Sequence, residues 1–333
     1  MTFQIPTAGI VGAGLIGRSW ANVFARAGWQ VLVWDPNPGQ RTAAHAQIAR
    51  SLDDLQAHGL LQDAAAASAR VHVTARLEDA VQAADYVQES GPEVLEVKRE
   101  TFAALDAAAP AHCVLASSTS AIVASRFTEQ LGGRARCIVA HPVNPPHLAP
   151  VVELCGAPWT SEATKARARD VMQRVGQMPV DVRREIDGFV LNRLQAALLT
   201  EAFRLVQDGV VSPRDLDHTV ADGLGLRWAF MGPFQTIELN APRGIADYCE
   251  RYVPWFRRYV ADMPTPQTWD DANWRAAAAA WGRPRPKASL REKARGATIA
   301  LQRWPRTSAP RSRPRSPDER SREWSSPPSS AAR

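Results

Sequence analysis

The length and composition of this 333-residue chain exclude several classes of protein. A chain of this length usually forms two domains, because single hydrophobic cores seldom grow beyond about 250–300 residues. Hydrophobic residues make up 45% of the chain and charged residues 22%, which excludes a wholly disordered, collagen-like or disulfide-stapled protein. No apolar run approaches the ~18 residues that span a bilayer, and no secretory pattern opens the sequence. We therefore expect a cytoplasmic protein without a membrane partner.

The formal net charge of +6 comes from one end of the chain. Residues 283–333 carry 14 Lys and Arg against 4 Asp and Glu, whereas residues 1–282 carry 26 against 30. A basic excess confined to a tail gives no reason to expect nucleic acid as a partner of the whole protein. From Pro305 onward, 21 of 29 residues are Pro, Ser or Arg, a composition that predicts a disordered tail.

Short apolar runs alternate with helix-like patterns through the first half of the chain. The runs predict strands at residues 8–12, 29–35, 71–74, 84–90, 113–118 and 137–141. Helical spacing separates them, for example over residues 93–107. Such alternation predicts an α/β fold with a doubly wound, mostly parallel sheet that helices cover on both faces.

The pattern becomes mostly helical after Glu153. A helix is predicted at 161–175, and a last strand follows at 178–182. Residues 187–208 are apolar on more than one side, which predicts a buried helix. The Ser-Pro pair at 212–213 supplies the cap and first-turn proline of a further helix.

These changes in pattern predict three parts. We expect an α/β domain over residues 1–184 and an all-α helical domain over 185–282. The basic Pro/Ser/Arg-rich tail then covers 283–333.

Three glycines mark a candidate phosphate-binding turn. Gly12, Gly14 and Gly17 spell GxGxxG directly after the first strand and at the start of a helix. In that context the first glycine permits a tight turn, the second lets a pyrophosphate approach, and the third allows the helix to pack on the strand. The amino terminus of the helix then offers free N–H groups to the phosphates.

An acidic residue follows at the position that reads the adenosine ribose. Asp35 ends the second strand, 18 residues after Gly17. A carboxylate there accepts hydrogen bonds from the ribose and repels a 2′-phosphate, so the pattern favours NAD over NADP. We expect the cofactor to contact this residue and the turn, including the backbone of Leu15 and Ile16.

A histidine near the carboxyl end of a strand is the candidate general base. His141 is the last residue of CIVAH and the first of HPVNPP, and Glu153 is the third residue of VVEL, twelve positions later. If these two strands are neighbours, the carboxylate can orient the imidazole and stabilise its charged form. The pattern alone leaves His147 open as the base, and it leaves open that Glu153 is an ordinary surface carboxylate.

The four cysteines do not suggest metal binding or disulfides. Cys113, Cys137, Cys155 and Cys249 show neither CxxC spacing nor a Cys/His ligand pattern. We expect four buried thiols and no metal site.

Six strings give the chain a family resemblance: GIVGAGLIGRSWA, QESGPEVLEVK, SSTSAI, IVAHPVNPPHLAPVVEL, GFVLNRLQ and GLGLRWAFMGPFQT. Together they resemble the 3-hydroxyacyl-CoA dehydrogenase superfamily, in order, over roughly residues 5–260. The resemblance implies an N-terminal Rossmann domain, a C-terminal helical domain that supports homodimerisation, and oxidation of a 3-hydroxy group by NAD.

The resemblance also implies roles for individual residues. The family's catalytic His and its Glu partner fall on His141 and Glu153. Its Ser and Asn fall on Ser120 and Asn192, where a hydroxyl and an amide would hold the substrate oxygen in line with the imidazole.

The family's Glu and Lys near the nicotinamide fall on Glu93 and Lys98. A further residue, Arg227, stands in GLGLRW and could pair with a substrate carboxylate, although an intramolecular ion pair fits it equally well.

The substrate is expected to be a small hydroxy acid. Acyl-CoA enzymes of the superfamily tend to carry lysines after the second strand, where the phosphates of the coenzyme lie. Residues 37–70 contain no lysine, and their arginines are cancelled by acids. We therefore expect a small hydroxy acid, and the resemblance implies oxidation of L-gulonate or a similar 3-hydroxy acid. The alternatives are a short-chain 3-hydroxyacyl-CoA dehydrogenase, a carnitine 3-dehydrogenase and a non-catalytic structural protein.

Overall fold

A computed structural model describes residues 5–263, 270–272 and 275 of the chain. The tail at 283–333, predicted to be disordered, lies outside these described residues. Within the described part, no helix has both the length and the apolar character needed to cross a membrane.

The core of the fold is one sheet in the spatial order β3-β2-β1-β4-β5-β6-β7-β8. Neighbouring strands run parallel except for β6 and β7, which are antiparallel. This confirms the predicted mostly parallel sheet. The strands are β1 Thr7–Val11, β2 Gln30–Trp34, β3 Val71–Val73, β4 Tyr86–Glu89, β5 Val114–Ser117, β6 Cys137–Pro142, β7 Val151–Gly156 and β8 Met178–Val182.

Helices surround the sheet and then form the C-terminal part of the described chain. The helices are α1 Leu15–Arg26, α2 Pro38–Ala57, α3 Ala64–Ser68, α4 Leu77–Val81, α5 Leu95–Ala108, α6 Ser125–Thr128, α7 Glu162–Arg174, α8 Leu191–Gln207, α9 Pro213–His218, α10 Leu226–Trp228, α11 Pro233–Leu239 and α12 Gly244–Ala261. A π-helical segment, Thr219–Gly225, joins α9 to α10. This Rossmann-type sheet domain followed by a helical domain agrees with the fold that the resemblance implies.

The strand order places a crevice at the carboxyl ends of the central strands. From β1, the chain goes first to β2 and β3 on one side and then returns to β4 on the other. At such a switch point the connections leave in opposite directions, and ligands of open α/β sheets bind there. The residues that follow β1, β4 and β5 therefore border one cleft.

Two apolar clusters, one on each face of the sheet, hold these elements. In one cluster Phe24 of α1 packs against Tyr86 of β4, with ring centroids 5.7 Å apart. In the other, Phe102 of α5 packs against Phe127 of α6 at 4.7 Å. Because both faces are covered, β4, β5 and β6 are buried along their whole length.

The prediction that residues 187–208 form a buried helix is half wrong. A helix forms at α8, but none of its residues is buried, and Leu194 is 63% exposed. The helix has apolar side chains on more than one side, and the described part of the chain does not cover them. Large apolar side chains of α12, such as Trp255 and Phe256, are also exposed.

The expectation of four buried thiols is correct for three cysteines. Cys113, Cys137 and Cys155 lie in the sheet domain, and burial raises the pKa of each thiol to about 12. Cys249 is exposed on α12, so the prediction is wrong for that residue. No group of three or more His, Cys, Asp or Glu side chains is arranged to hold a metal in the described ranges.

Candidate active site

The three glycines form the turn between β1 and α1. Gly12 adopts φ +101°, a conformation that side chains rarely tolerate. A Cβ on Gly17 would overlap the carbonyl oxygen of Gly12, so the third glycine is required for helix and turn to meet. A Cβ on Gly14 would meet nothing within 4 Å, which leaves open space above the turn.

Asp35 ties this turn to the second strand. Its Oδ2 accepts the N–H of Ala13 at 2.7 Å, and its Oδ1 accepts the N–H of Asn37 at 2.8 Å. Each carboxylate oxygen can accept a further hydrogen bond, and the side chain stands at the end of β2 beside the turn. The position is the one expected for a ribose-binding carboxylate.

The turn and Asp35 fit a dinucleotide. Gly14 caps α1 without a side-chain hydrogen bond, so the first N–H groups of the helix have no cap to satisfy them. Open space, free donors and the partial positive charge of a helix start suit a pyrophosphate. Leu15 begins the helix and is 61% exposed, and Ile16 lines the neighbouring cleft.

His141 and Glu153 form a buried pair on adjacent strands. They are register partners on antiparallel β6 and β7, and His141 Nδ1 lies 2.8 Å from Glu153 Oε2. The two residues are 5% and 2% exposed. The structure thus brings together the His and Glu that the sequence predicted as neighbours, whereas His147 is buried elsewhere in the following loop.

The start of α8 completes the surroundings of Glu153. Its Oε1 accepts the N–H groups of Val190 at 2.8 Å and Leu191 at 2.9 Å. Burial opposes ionisation of the Glu153 carboxyl, but hydrogen bonds from His141, Leu191 and Val190 outweigh burial and lower its pKa. The carboxylate is therefore the stable form in this site.

A strained turn delivers those two N–H groups. Gly188 and Phe189 both have positive φ, of 74° and 47°. A positive φ is uncommon for a phenylalanine, and such strain tends to collect at functional sites. The Phe189 ring is fully buried and packs against the His141 ring at 5.5 Å between centroids. Sequence reasoning missed Phe189, because its residue type gives no sign of this conformation.

Ser120, Asn192 and Glu93 connect the loops around the imidazole. Asn192 Nδ2 donates to the backbone carbonyl of Ser120 at 2.9 Å. Glu93 accepts the Ser120 N–H at 3.2 Å and the Thr119 hydroxyl. The loop after β5 is thereby fixed both to the loop after β4 and to α8.

Lys98 lies away from the cleft surface. Its ammonium is 2.9 Å from Glu89 Oε2, and both side chains are 1% exposed. Glu89 also accepts the Ser117 hydroxyl at 2.6 Å and the Gly91 N–H at 2.6 Å. The structure therefore places Lys98 against a carboxylate under the loop after β4. Sequence reasoning missed Glu89, whose signal is a carboxylate at the carboxyl end of a buried strand.

Two clefts meet at His141. The glycine-side cleft, about 220 Å³, is lined by Ile16, Ser90, Glu93, Ser118, Ser120 and His141, among others. The helix-side cleft, about 780 Å³, is lined by His141, Asn144, Asn192, Gln195, Leu198 and Trp228, among others. His141, Pro142 and Asn144 belong to both. A ligand at the glycine turn and a second ligand against α8 would thus meet at one imidazole.

Arg227, predicted to contact substrate, is exposed on α10. The next residue, Trp228, lines the helix-side cleft, but Arg227 does not. Its contact with a substrate carboxylate stays a prediction.

Comparison with known proteins places the chain in a family. The family model of the 3-hydroxyacyl-CoA dehydrogenase NAD binding domain matches residues 7–186, and that of the C-terminal domain matches 188–275. Lambda-crystallin of Oryctolagus cuniculus is 46% identical over 261 residues, which cover 77% of this chain and 82% of the relative.

A second relative and a solved structure extend the comparison. An L-carnitine dehydrogenase of Pseudomonas sp is 36% identical over 265 residues, covering 79% of this chain and 82% of the relative. The structure of 5-formyl-3-hydroxy-2-methylpyridine 4-carboxylic acid 5-dehydrogenase, an NAD+-dependent dismutase, matches with a TM-score of 0.78 and 28% identity, covering 91% of this chain and 100% of that one. The chain therefore belongs to the 3-hydroxyacyl-CoA dehydrogenase family, with its NAD-binding domain at residues 7–186, and is an NAD-dependent oxidoreductase acting on a hydroxyl group.

Proposed function

We propose that the protein oxidises the 3-hydroxy group of a small hydroxy acid with NAD, and that L-gulonate is the leading candidate substrate. One observation carries the proposal: the buried His141–Glu153 pair stands where the glycine-side cleft meets the helix-side cleft. A proton acceptor at that junction can take the proton of a substrate hydroxyl whose carbon faces the cofactor.

The protonation of the pair suits His141 as the general base. Since the lowered pKa of Glu153 keeps it ionised, its oxygens only accept hydrogen bonds. In the 2.8 Å contact the imidazole must then be the donor at Nδ1, and a neutral imidazole in that tautomer has its lone pair on Nε2. Nε2 takes the hydroxyl proton of the substrate, and the Glu153 carboxylate stabilises the imidazolium that results.

Ser120 and Asn192 would position the reacting hydroxyl. Ser120 lines the glycine-side cleft and Asn192 the helix-side cleft, and His141 lines both. The hydrogen bond from the Asn192 amide to the Ser120 carbonyl fixes the loop after β5 to α8. Bound NAD supplies the acceptor for the hydride that leaves the same carbon. Glu93 fixes Ser120, while Gly12, Gly14, Gly17 and Asp35 would hold the dinucleotide.

The helix-side cleft favours a small hydroxylated substrate. Its polar groups include the amides of Asn144, Asn192 and Gln195, which suit hydroxyl groups. Within the described chain, no lysine or arginine lines it to receive the phosphates of coenzyme A. The absence of lysine from residues 37–70, which include α2 and α3, supports the same choice.

Two alternatives rest on other features of the same cleft. The apolar wall formed by Leu191, Leu194 and Leu198 would suit a short acyl chain, as in 3-hydroxybutyryl-CoA. Trp228 would suit a quaternary ammonium such as that of carnitine, since aromatic faces attract cations.

A direct assay ranks the three substrates. Purified protein is incubated with NAD and either L-gulonate, 3-hydroxybutyryl-CoA or L-carnitine, and NADH formation gives kcat/KM for each. We expect the highest value with L-gulonate. A clear preference for the CoA ester or for carnitine would replace the leading candidate with that alternative.

The C-terminal helices support a homodimer. The described chain leaves apolar side chains exposed on α8 and α12, including Leu194, Leu199, Trp255, Phe256 and Val260. Exposed apolar patches mark association sites in soluble proteins, and the resemblance points to a second copy as the partner. Size-exclusion chromatography with light scattering should give twice the chain mass, and a monomer at all concentrations would contradict this.

A further inference from the structure

The hydroxyl of Ser118 lies in a buried polar cluster beneath the glycine-side cleft. Ser118 follows β5, and its Oγ is 3.1 Å from Trp20 Nε1 of α1 and 2.7 Å from Gln88 Nε2 of β4. The third neighbour is Ser90 Oγ, at 2.9 Å. Ser90 and Ser118 line the cleft, whereas Trp20 and Gln88 are fully buried.

Two of these neighbours can only donate to Ser118. The indole nitrogen of Trp20 is a donor without acceptor capacity. The orientation of the Gln88 amide is fixed by its other contacts, since Nε2 also donates to the Ala140 carbonyl at 3.2 Å and Oε1 accepts the Tyr86 hydroxyl at 3.2 Å. Because a backbone carbonyl cannot donate, the nitrogen end of the amide must face it and Ser118.

Counting lone pairs then sets the direction of the third hydrogen bond. A serine hydroxyl accepts two hydrogen bonds and donates one. Trp20 and Gln88 occupy both acceptor sites of Ser118, so Ser118 donates its own hydrogen to Ser90. Ser90 accepts there and keeps a hydrogen for which the described residues provide no acceptor.

The position of Ser90 indicates which group can accept that hydrogen. Ser90 lines the glycine-side cleft together with Ile16 and His141. Its backbone carbonyl touches the turn, since a Cβ on Gly12 would lie 2.7 Å from it. Ser90 therefore stands between the phosphate-binding turn and the general base, along the line that a bound dinucleotide follows.

We infer that the Ser90 hydroxyl is a hydrogen-bond donor preset toward the cleft, and that it binds an acceptor oxygen on the nicotinamide-riboside half of NAD. Trp20, Gln88 and Ser118 are its positioning residues. A donor whose direction is fixed before the ligand arrives loses little entropy on binding. The inference rests on NAD as cofactor and does not depend on the substrate proposed above.

Ligand titration tests the inference without measuring turnover. Wild type and Ser90→Ala are titrated by calorimetry with NADH, ADP-ribose and ADP. Loss of one neutral hydrogen bond should raise the Kd for NADH about two- to tenfold and leave the Kd for ADP unchanged. Ser68→Ala, at the end of α3 and outside the cleft, is the matched control.

The three ligands locate the acceptor. If Ser90→Ala raises the Kd for ADP-ribose and for NADH by the same factor, the acceptor is on the ribose of the nicotinamide-riboside half. If it raises the Kd for NADH alone, the acceptor is on the nicotinamide; both results support the inference. An unchanged Kd for NADH, or an equal rise in the Kd for ADP, would overturn it. Because no substrate is present, failure of the L-gulonate proposal would not alter these outcomes.

A second variant tests the direction of the chain of hydroxyls. Trp20→Phe removes one donor, so that Ser118 can accept from Ser90 and the Ser90 hydrogen is no longer committed to the cleft. Ser90→Ala should then raise the Kd for NADH by a smaller factor in the Trp20→Phe background than in wild type. Equal factors in the two backgrounds would refute the preset direction, and melting curves check that each variant is folded.

Discussion

His141 and Glu153 are direct cross-strand partners, and their 2.8 Å hydrogen bond exists because β7 runs against β6. In the rest of the sheet the strands run parallel, and a helical connection separates each pair of successive strands from β1 to β6. After β6 the chain reverses direction in a short loop and forms β7 beside it. This antiparallel pairing places the Glu153 carboxylate opposite the His141 imidazole on the same face of the sheet. The geometry of the proposed catalytic pair is thus set by strand register.

Replacement of His141 should remove most of the turnover. In His141→Ala, no group at the junction of the two clefts takes the hydroxyl proton, so kcat should fall by about 10²- to 10⁴-fold. The Kd for NADH should stay unchanged, because the glycine turn and Asp35 are untouched. Steady-state kinetics and calorimetry check this, with the exposed His45→Ala as control. Turnover equal to that of wild type would remove His141 from the mechanism.

Glu153→Gln should change stability in a pH-dependent way. The folded protein lowers the pKa of Glu153 below the unfolded value of about 4.3, so ionised Glu153 stabilises the fold above that pH. This contribution is lost as pH falls through the lowered pKa. The variant should therefore be less stable than wild type by about 1–3 kcal/mol near neutral pH, and the difference should shrink in acid.

Thermal melting of wild type and Glu153→Gln from about pH 7 to pH 3 measures this difference across the titration range of a carboxyl group. Glu100→Gln, at an exposed position of α5, is the matched control and should show no such trend. A difference in Tm that stays constant with pH would contradict the role assigned to the ionised carboxylate.

Gly14→Ala and Gly17→Ala should fail in different ways. A Cβ on Gly17 overlaps the Gly12 carbonyl, so Gly17→Ala should lose about 1–3 kcal/mol of stability through overpacking. A Cβ on Gly14 meets no protein atom, so Gly14→Ala should melt like wild type. It should nevertheless bind NADH at least about tenfold more weakly, because the methyl group would occupy the space proposed for the pyrophosphate. Equal NADH affinity in Gly14→Ala and wild type would be incompatible with this placement.

Much of the fold was predictable because its signals are local. The alternation of apolar runs and helical spacing foretold the parallel sheet, and the Ser-Pro pair at 212–213 marked the start of α9. The exposure of α8 was not predictable in the same way. Periodicity shows which sides of a helix are apolar, but it does not show whether the same chain or another covers them. Cys249 illustrates the same limit on α12.

In the candidate site, too, local motifs were predictable from the sequence and features that depend on packing were not. The glycine turn and Asp35 follow from a short motif, and the resemblance turned His141 and Glu153 from one option into an expectation. Glu89 and Lys98 are only nine positions apart, but their burial, like the positive φ of Phe189, depends on how the surrounding elements pack. The residue types alone reveal neither feature.

Asp35→Ala should weaken the preference for NAD over NADP. The carboxylate accepts the N–H groups of Ala13 and Asn37, so its loss loosens the turn and should raise the Kd for NAD about tenfold. The same change removes the negative charge that repels a 2′-phosphate, and the affinity for NADP should fall less or rise. Calorimetric titration with both dinucleotides gives the ratio of their Kd values. Asp63→Ala, which removes only the exposed cap of α3, should leave that ratio as in wild type. If Asp35→Ala also leaves the ratio unchanged, another residue discriminates between the cofactors.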